Sequence, residues 1–221
     1  MRSEIQGAPS FAYIHVDLEP GESVLAESDA MASMAADLDM RVRFNGGNIF
    51  TALLKKLFGG ESFFVNEFKN NSSESKRVTL VQGTPGNLRQ VDLNNSSVCL
   101  QPGAYVASSP GVKLGLSWAG FASFFGREGL FRLKATGTGT VWYGAYGELV
   151  EKNVEGDYIV DTAHLVAYEP QMRLKVQLAG GVFSSLLGGE GFVTRVEGTG
   201  KIIVQSRSLH GFSRWLNPKI Y

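Results

Sequence analysis

The chain repeats itself, and self-similarity restricts its fold more than any single motif does. Leu18-Glu19-Pro20-Gly21-Glu22-Ser23-Val24, Leu100-Gln101-Pro102-Gly103-Ala104-Tyr105-Val106 and Val154-Glu155-Gly156-Asp157-Tyr158-Ile159 share an apolar residue, a Gly turn, two further positions and a β-branched residue. Eight residues after each glycine stands Asp29, Gly111 or His164, so each unit reads as turn, short strand, turn, strand. A second element recurs downstream. Gly46-Gly47 leads through Ile49, Phe50, Leu53, Leu54, Leu57 and Phe58 to Gly59-Gly60-Glu61-Ser62-Phe63. Gly180-Gly181 leads through Val182, Phe183, Leu186 and Leu187 to Gly188-Gly189-Glu190-Gly191-Phe192. The middle copy runs from Ala119 through Phe124, Phe125 and Glu128 to Phe131. Phe131 and Phe192 are each followed by a Gly-Thr-Gly run, at 137–139 and 198–200. The spacing predicts repeats over 14–90, 91–151 and 152–207 and a C-terminal tail at 208–221, all within one domain spanning 1–221.

An all-β chain fits this pattern. Gly occupies 27 of 221 positions, about 12% against a usual ~7%, and Phe, Val and Tyr are plentiful where Ala- and Lys-rich helical runs are missing. Met40, Val42 and Phe44 alternate with Arg41, Arg43 and Asn45, and Met172, Leu174, Val176 and Leu178 alternate with Gln171, Arg173, Lys175 and Gln177. Each alternation predicts a strand with one buried face. The Gly-Thr-Gly runs suit bulges or close strand approaches. The apolar segments at 49–58, 121–125 and 182–187 are too short for periodicity to choose between helical turns and tight loops, and the polar run Lys69–Lys76 predicts an exposed loop.

Charge narrows the partners. Lys+Arg and Asp+Glu are 21 each, so the whole molecule has no electrostatic pull towards nucleic acid or an anionic membrane. The distribution is uneven: residues 1–40 hold one base and eight acids, net 1−8 = −7, while 201–221 hold four bases and no acid. A single cysteine, Cys99, excludes an intrachain disulfide and a Cys-built zinc cage, which predicts a cytoplasmic home. The N-terminal residues lack the apolar core of a signal peptide. The most apolar windows, Leu114–Gly126 and Leu178–Gly189, fall short of the ~18 residues that span a bilayer.

Catalytic chemistry is sparse. His15, His164 and His210 are the conventional bases, and none has a recognisable nucleophile setting. Cys99 reads as a small core residue, and His164 occupies a turn position. Gly137-Thr138-Gly139 and Gly198-Thr199-Gly200 lack the Lys and helix N-terminus of a phosphate loop. Trp118, Trp142, Tyr143 and Tyr146 lie in weakly charged surroundings and read as core more than as stacking platforms for nucleic acid. The sharpest constellation is Glu61, Glu128 and Glu190. Brought together around a pseudo-threefold axis they would offer oxygen ligands to a divalent ion; held apart, each satisfies backbone N–H groups of its Gly-rich corner, and the structural role is the expected one. No cofactor is expected. The corner residues Leu53, Leu54, Leu57, Phe58, Phe124, Phe125, Leu186 and Leu187 either fill the core or contact another subunit, a protein partner or a membrane surface, and core with a homo-oligomer contact is favoured.

The Leu18–Ser23 motif, the Gly-Gly-Glu corners and the Gly-Thr-Gly runs together resemble the mitochondrial-biogenesis family named for altered inheritance of mitochondria, over nearly the whole chain. The resemblance implies a jelly-roll-like double-stranded β-helix similar to the tryptophan RNA-binding attenuator fold, in a bacterial cytoplasmic member. For fungal members it implies a role in organising the mitochondrial inner membrane. It supplies no catalytic residues. The expected function is a non-enzymatic scaffold or binding module; the alternatives are an enzyme or small-ligand or metal binder using the repeat interface and, by fold analogy alone, an RNA binder.

Overall fold

The computed structural model describes residues 1–44, 64–101, 103–118, 131–178 and 192–220. Among the described residues, fifteen strands and one α-helix follow in order: β1 (Arg2–Gln6), β2 (Tyr13–Leu18), β3 (Ser23–Glu27), β4 (Met31–Met34), β5 (Leu38–Phe44), β6 (Phe64–Asn70), β7 (Lys76–Val81) and β8 (Leu88–Leu100). Then come β9 (Tyr105–Ser108), β10 (Val112–Trp118), β11 (Phe131–Gly144), β12 (Leu149–Asp161), a 3-10 turn (Thr162–His164), β13 (Leu165–Tyr168), β14 (Arg173–Leu178), β15 (Phe192–Gln205) and α1 (Leu209–Ile220).

Two antiparallel sheets result. The smaller has the order β1-β2-β7-β4; the larger runs β12-β15-β13-β8-β11-β9-β3-β6-β5, with β10 paired to β11 and β14 to β15. The sequence dictates the layering. In β2, Ile14, Val16 and Leu18 are fully buried while Tyr13, His15 and Asp17 are not, the period-2 signature of a half-buried strand. They pack with Val78 and Leu80 of β7 against Val24, Phe68 and Trp142 of the large sheet. Each such side chain contributes about 1.5–3 kcal/mol through its removal from water. A second cluster joins Leu100, Tyr105, Leu133, Val141 and Ile203, and a third joins Val154, Tyr168, Met172 and Val196.

Three hairpins stand out from the large sheet: β5 with β6, β10 with β11 and β14 with β15. Their outermost described pairs are Phe44 with Phe64, Trp118 with Phe131 and Leu178 with Phe192. The Gly-rich corners at 45–63, 119–130 and 179–191, including the segments 49–58, 121–125 and 182–187, lie outside the described residues.

Several expectations change. The turn anticipated at Val154–Ile159 is the middle of β12, because Gly156 faces Gly198 of β15 and both adopt positive φ, +89° and +117°, which lets a long twisted pair continue. The repeat boundaries 90/91 and 151/152 therefore fall inside β8 and β12. The run Gly137-Thr138-Gly139 does carry a register shift against β8. In β5, expected to bury one face, Met40 is 44% and Val42 59% exposed, and the strand stands at the end of the large sheet. In the Lys69–Lys76 run, Asn70 is fully buried rather than looped into solvent. The tail expected beyond 207 holds a twelve-residue helix.

Candidate functional site

The sequence-nominated bases are spread through the fold and do not converge. His15 Nδ1 lies 3.0 Å from Thr79 Oγ1 across the β2–β7 pair. His164 closes the 3-10 turn, and its Nδ1 donates to the Gln205 carbonyl at 2.7 Å, since a carbonyl oxygen only accepts. That bond and the one Gln205 Nε2 donates to the Ala163 carbonyl at 2.8 Å hold the turn onto β15, and Asp161 caps the turn by accepting from Ala163 N–H at 2.9 Å. His210 is exposed on α1. Glu61, Glu128 and Glu190 lie outside the described residues. Among the described residues, no three His, Cys, Asp or Glu groups stand close enough to hold a metal.

Cys99 is buried on β8, opposite Tyr168 of β13 and Lys134 of β11. Burial pushes its thiol up, away from the reactive thiolate. Burial likewise drives the Tyr168 phenol well above its usual range, and Arg132 lies over its ring at 5.5 Å. The Tyr168 hydroxyl is buried beside the Cys99 thiol and the Arg132 guanidinium and makes no hydrogen bond of ordinary geometry among the described residues. Trp142 and Tyr143 are core residues, as expected, whereas Tyr146 is half-buried; the Trp118 side chain lies outside the described set. One buried carboxylate escaped the sequence reading. Glu67 of β6 accepts from Arg43 Nε and Nη2, each at 2.7 Å, and from Ser23 Oγ at 3.2 Å. Its signal was its place in Val65-Asn66-Glu67-Phe68, an otherwise half-apolar strand.

Beside Met1, Phe11 and Met31, the large exposed apolar side chains lie on three elements: Met40 and Val42 on β5, Val150, Tyr158 and Ile159 on β12, and Leu209, Phe212, Trp215 and Ile220 on α1, where no residue is buried. Phe212 meets the Tyr146 ring edge-on at 6.1 Å and stacks with Trp215 at 6.1 Å. The helix was legible as Leu209, Phe212, Leu216 and Ile220, spaced three and four apart. No helix among the described residues is long and apolar enough to cross a membrane.

With this geometry in view, comparison with known proteins is informative. A family model described as mitochondrial biogenesis AIM24 matches residues 3–207. An uncharacterized protein of Streptococcus pyogenes serotype M6 is 27% identical over 221 residues, covering 96% of this chain and 88% of the relative. A crystal structure of a Streptococcus pyogenes protein is similar with a TM-score of 0.81 and 25% identity, covering 99% of each chain.

Proposed function

We propose, for a chain that belongs to the mitochondrial biogenesis AIM24 family, that it is a non-enzymatic scaffold or binding module acting as a homo-oligomer in the cytoplasm. The observation that carries this reading is the β5 edge. An edge strand presents unpaired backbone donors and acceptors, and one that adds Met40 and Val42 to them is a template for another chain. The side chains that catalysis would recruit support it from the other side: His15 and His164 are tied into the fold and Cys99 is buried. The β5–β6, β10–β11 and β14–β15 hairpins are read as the same part of three repeats in a jelly-roll-like double-stranded β-helix, and the apolar corners at their ends as further contact surface. Light scattering of the chain and of a Met40→Glu, Val42→Lys variant tests the assembly. An oligomer that dissociates in the variant supports it; a parent chain that is monomeric at micromolar concentration overturns it.

A second reading, a small-ligand binder at the junction of two repeats, has one observation in its favour. The buried Tyr168 hydroxyl, beside Cys99 and Arg132, makes no hydrogen bond of ordinary geometry among the described residues, and a ligand oxygen there would give it one. Tyr168→Phe should then abolish ligand-dependent thermal shifts in a metabolite screen, and a chain giving no shift with any compound argues against this reading.

A further inference from the structure

We propose that α1 is an amphipathic docking helix for an anionic lipid surface. The inference goes beyond the family reading, because Leu209–Ile220 lies outside residues 3–207, the part matched by the family model.

The arrangement of side chains carries it. At ~100° per residue, Trp215, Phe212, Leu216, Leu209 and Ile220 fall within an arc of about 140°, with Ser213, Asn217, His210 and Arg214 on the other side. Trp215 is 58% and Ile220 59% exposed, so this apolar arc is not consumed by the body of the protein. Lys219 lies within the arc with its Nζ 4.9 Å from the Trp215 ring. A lysine stem laid along an aromatic face brings its ammonium to the depth at which lipid headgroups sit. Phe11, 74% exposed, extends the same end of the molecule: Ala12 N–H donates to the Gly86 carbonyl at 2.9 Å, and Gly86 bridges Gly147, next to the Tyr146 that Phe212 touches.

Charge selects the occupant. From 198 to 221 there are four bases and no acid; Lys201 is paired with Glu151 at 2.9 Å, so Arg207, Arg214 and Lys219, on α1 and just before it, are the bases that matter here. The acidic region 1–40 of a second copy is a poorer match, because Asp17, Asp37, Asp39 and Glu22 are already paired with Arg77, Lys76, Arg41 and the N-terminal amine. A stable protein interface also takes about 800 Å² per partner, more than five apolar side chains on twelve residues supply. The helix has its own reason to seek a surface: with Gly211 and Pro218 inside it and only three turns, it is marginal alone in water.

Flotation of the full chain with phosphatidylcholine vesicles, with and without phosphatidylglycerol, is the test. Binding is expected to the anionic vesicles only and to weaken with salt. Arg214→Glu with Lys219→Glu should lower it at least about tenfold, and Phe212→Ser with Trp215→Ser should remove it, while both pairs keep the parent melting temperature because no residue of α1 is buried. Equal flotation with and without phosphatidylglycerol, or unchanged binding in either pair, overturns the proposal. It is equally overturned if the parent ignores vesicles and the Phe212, Trp215 pair converts an oligomer to a smaller species in sedimentation velocity, which would make a second copy the occupant. The Met40, Val42 variant of the assembly test should still float, which keeps the two proposals separable.

Discussion

The Asn70 side-chain amide donates to the Leu18 carbonyl at 2.7 Å, tying the end of β6 in the large sheet to the end of β2 in the small one. The same amide donates to Glu74 O at 2.7 Å, and its oxygen accepts from Ser72 N–H at 3.0 Å and Ser72 Oγ at 2.8 Å. Its backbone donates to Glu22 O at 2.9 Å and accepts from Gly21 N–H at 2.8 Å. A fully buried amide with all its polar valences used joins the sheets at one point.

Asn70→Ala should therefore destabilise the chain by about 1–3 kcal/mol, because the buried Leu18 carbonyl loses its side-chain donor, while Glu74, an exposed residue, can turn to water. Asn70→Asp should cost more, since it turns an oxygen towards those carbonyls. Urea denaturation measures both, and a loss under about 0.5 kcal/mol for either would mean that water replaces the amide.

Gly86 gives a test with an internal control. A Cβ there would run into the backbone of Ala145 and Gly147, where Gly86 and Gly147 form an isolated bridge, whereas a Cβ at Gly83 would meet nothing within 4 Å. Gly86→Ala is expected to lower the melting temperature by about 2–12 °C, as a loss of 1–3 kcal/mol would. Gly83→Ala should leave it unchanged.

What the sequence disclosed follows from how local each signal is. The all-β class was legible because the alternation in β5 and β14 and the glycine-rich, β-branched composition are properties of neighbouring residues. Gly156 misled for the opposite reason: its role depends on Gly198, forty-two residues away, and a glycine paired across a ladder reads like a turn glycine in one dimension. Asn70 sits in a polar run that looks solvated, and only the arrival of Leu18 and Glu74 makes it a core residue. α1 was passed over because Gly211 and Pro218 interrupt helix propensity, although its apolar spacing was intact. The three glutamates chosen from the sequence lie outside the described residues, while Glu67, which the structure does bury, gives no repeating signal.

Acid should weaken the smaller sheet in a defined direction. Arg77 grips Asp17 with Nε on Oδ1 at 2.7 Å and Nη2 on Oδ2 at 2.9 Å, and this holds the Asp17 carboxyl below the usual carboxylate range. A folded value below the unfolded one means that the stabilisation is complete above the unfolded carboxylate range and disappears as pH falls through the folded value. Asp17→Asn should remove that part of the acid-side slope while leaving the neutral-to-alkaline part unchanged. The effect is small, because the pair is solvent-exposed and screened. Melting curves between pH 2 and 7 (roughly the carboxylate span) check it, and an unchanged acid slope would exclude the pair as a contributor.

Cys99 should behave as a reporter of unfolding. It is buried and its thiol is held up by that burial, so a disulfide reagent at neutral pH is expected to react only as fast as the β8–β13 contact opens. Stoichiometric labelling within seconds in native buffer would contradict this, and labelling that accelerates with urea in step with the loss of strand signal would support it.

The Glu67–Arg43 pair makes an asymmetric prediction. Glu67 lies on β6 between β3 and β5, with its side chain 8% exposed, while the Arg43 side chain at the sheet edge is 60% exposed. Removing the exposed partner is thus the more damaging change. Arg43→Ala leaves a buried carboxylate with Ser23 Oγ as its side-chain donor and is expected to cost about 1–3 kcal/mol. Glu67→Gln keeps the shape and an acceptor for Arg43, whose guanidinium can turn to water, so it should cost less. The double variant should be no worse than Arg43→Ala alone, because the charge that suffered from the loss of Arg43 has gone. A double-mutant cycle in urea measures the coupling. If Arg43→Ala proves neutral, Glu67 is hydrated in solution and the pair contributes as little as any surface ion pair; if Glu67→Gln is the costlier change, the carboxylate holds β3, β5 and β6 together through its charge and not merely through its shape.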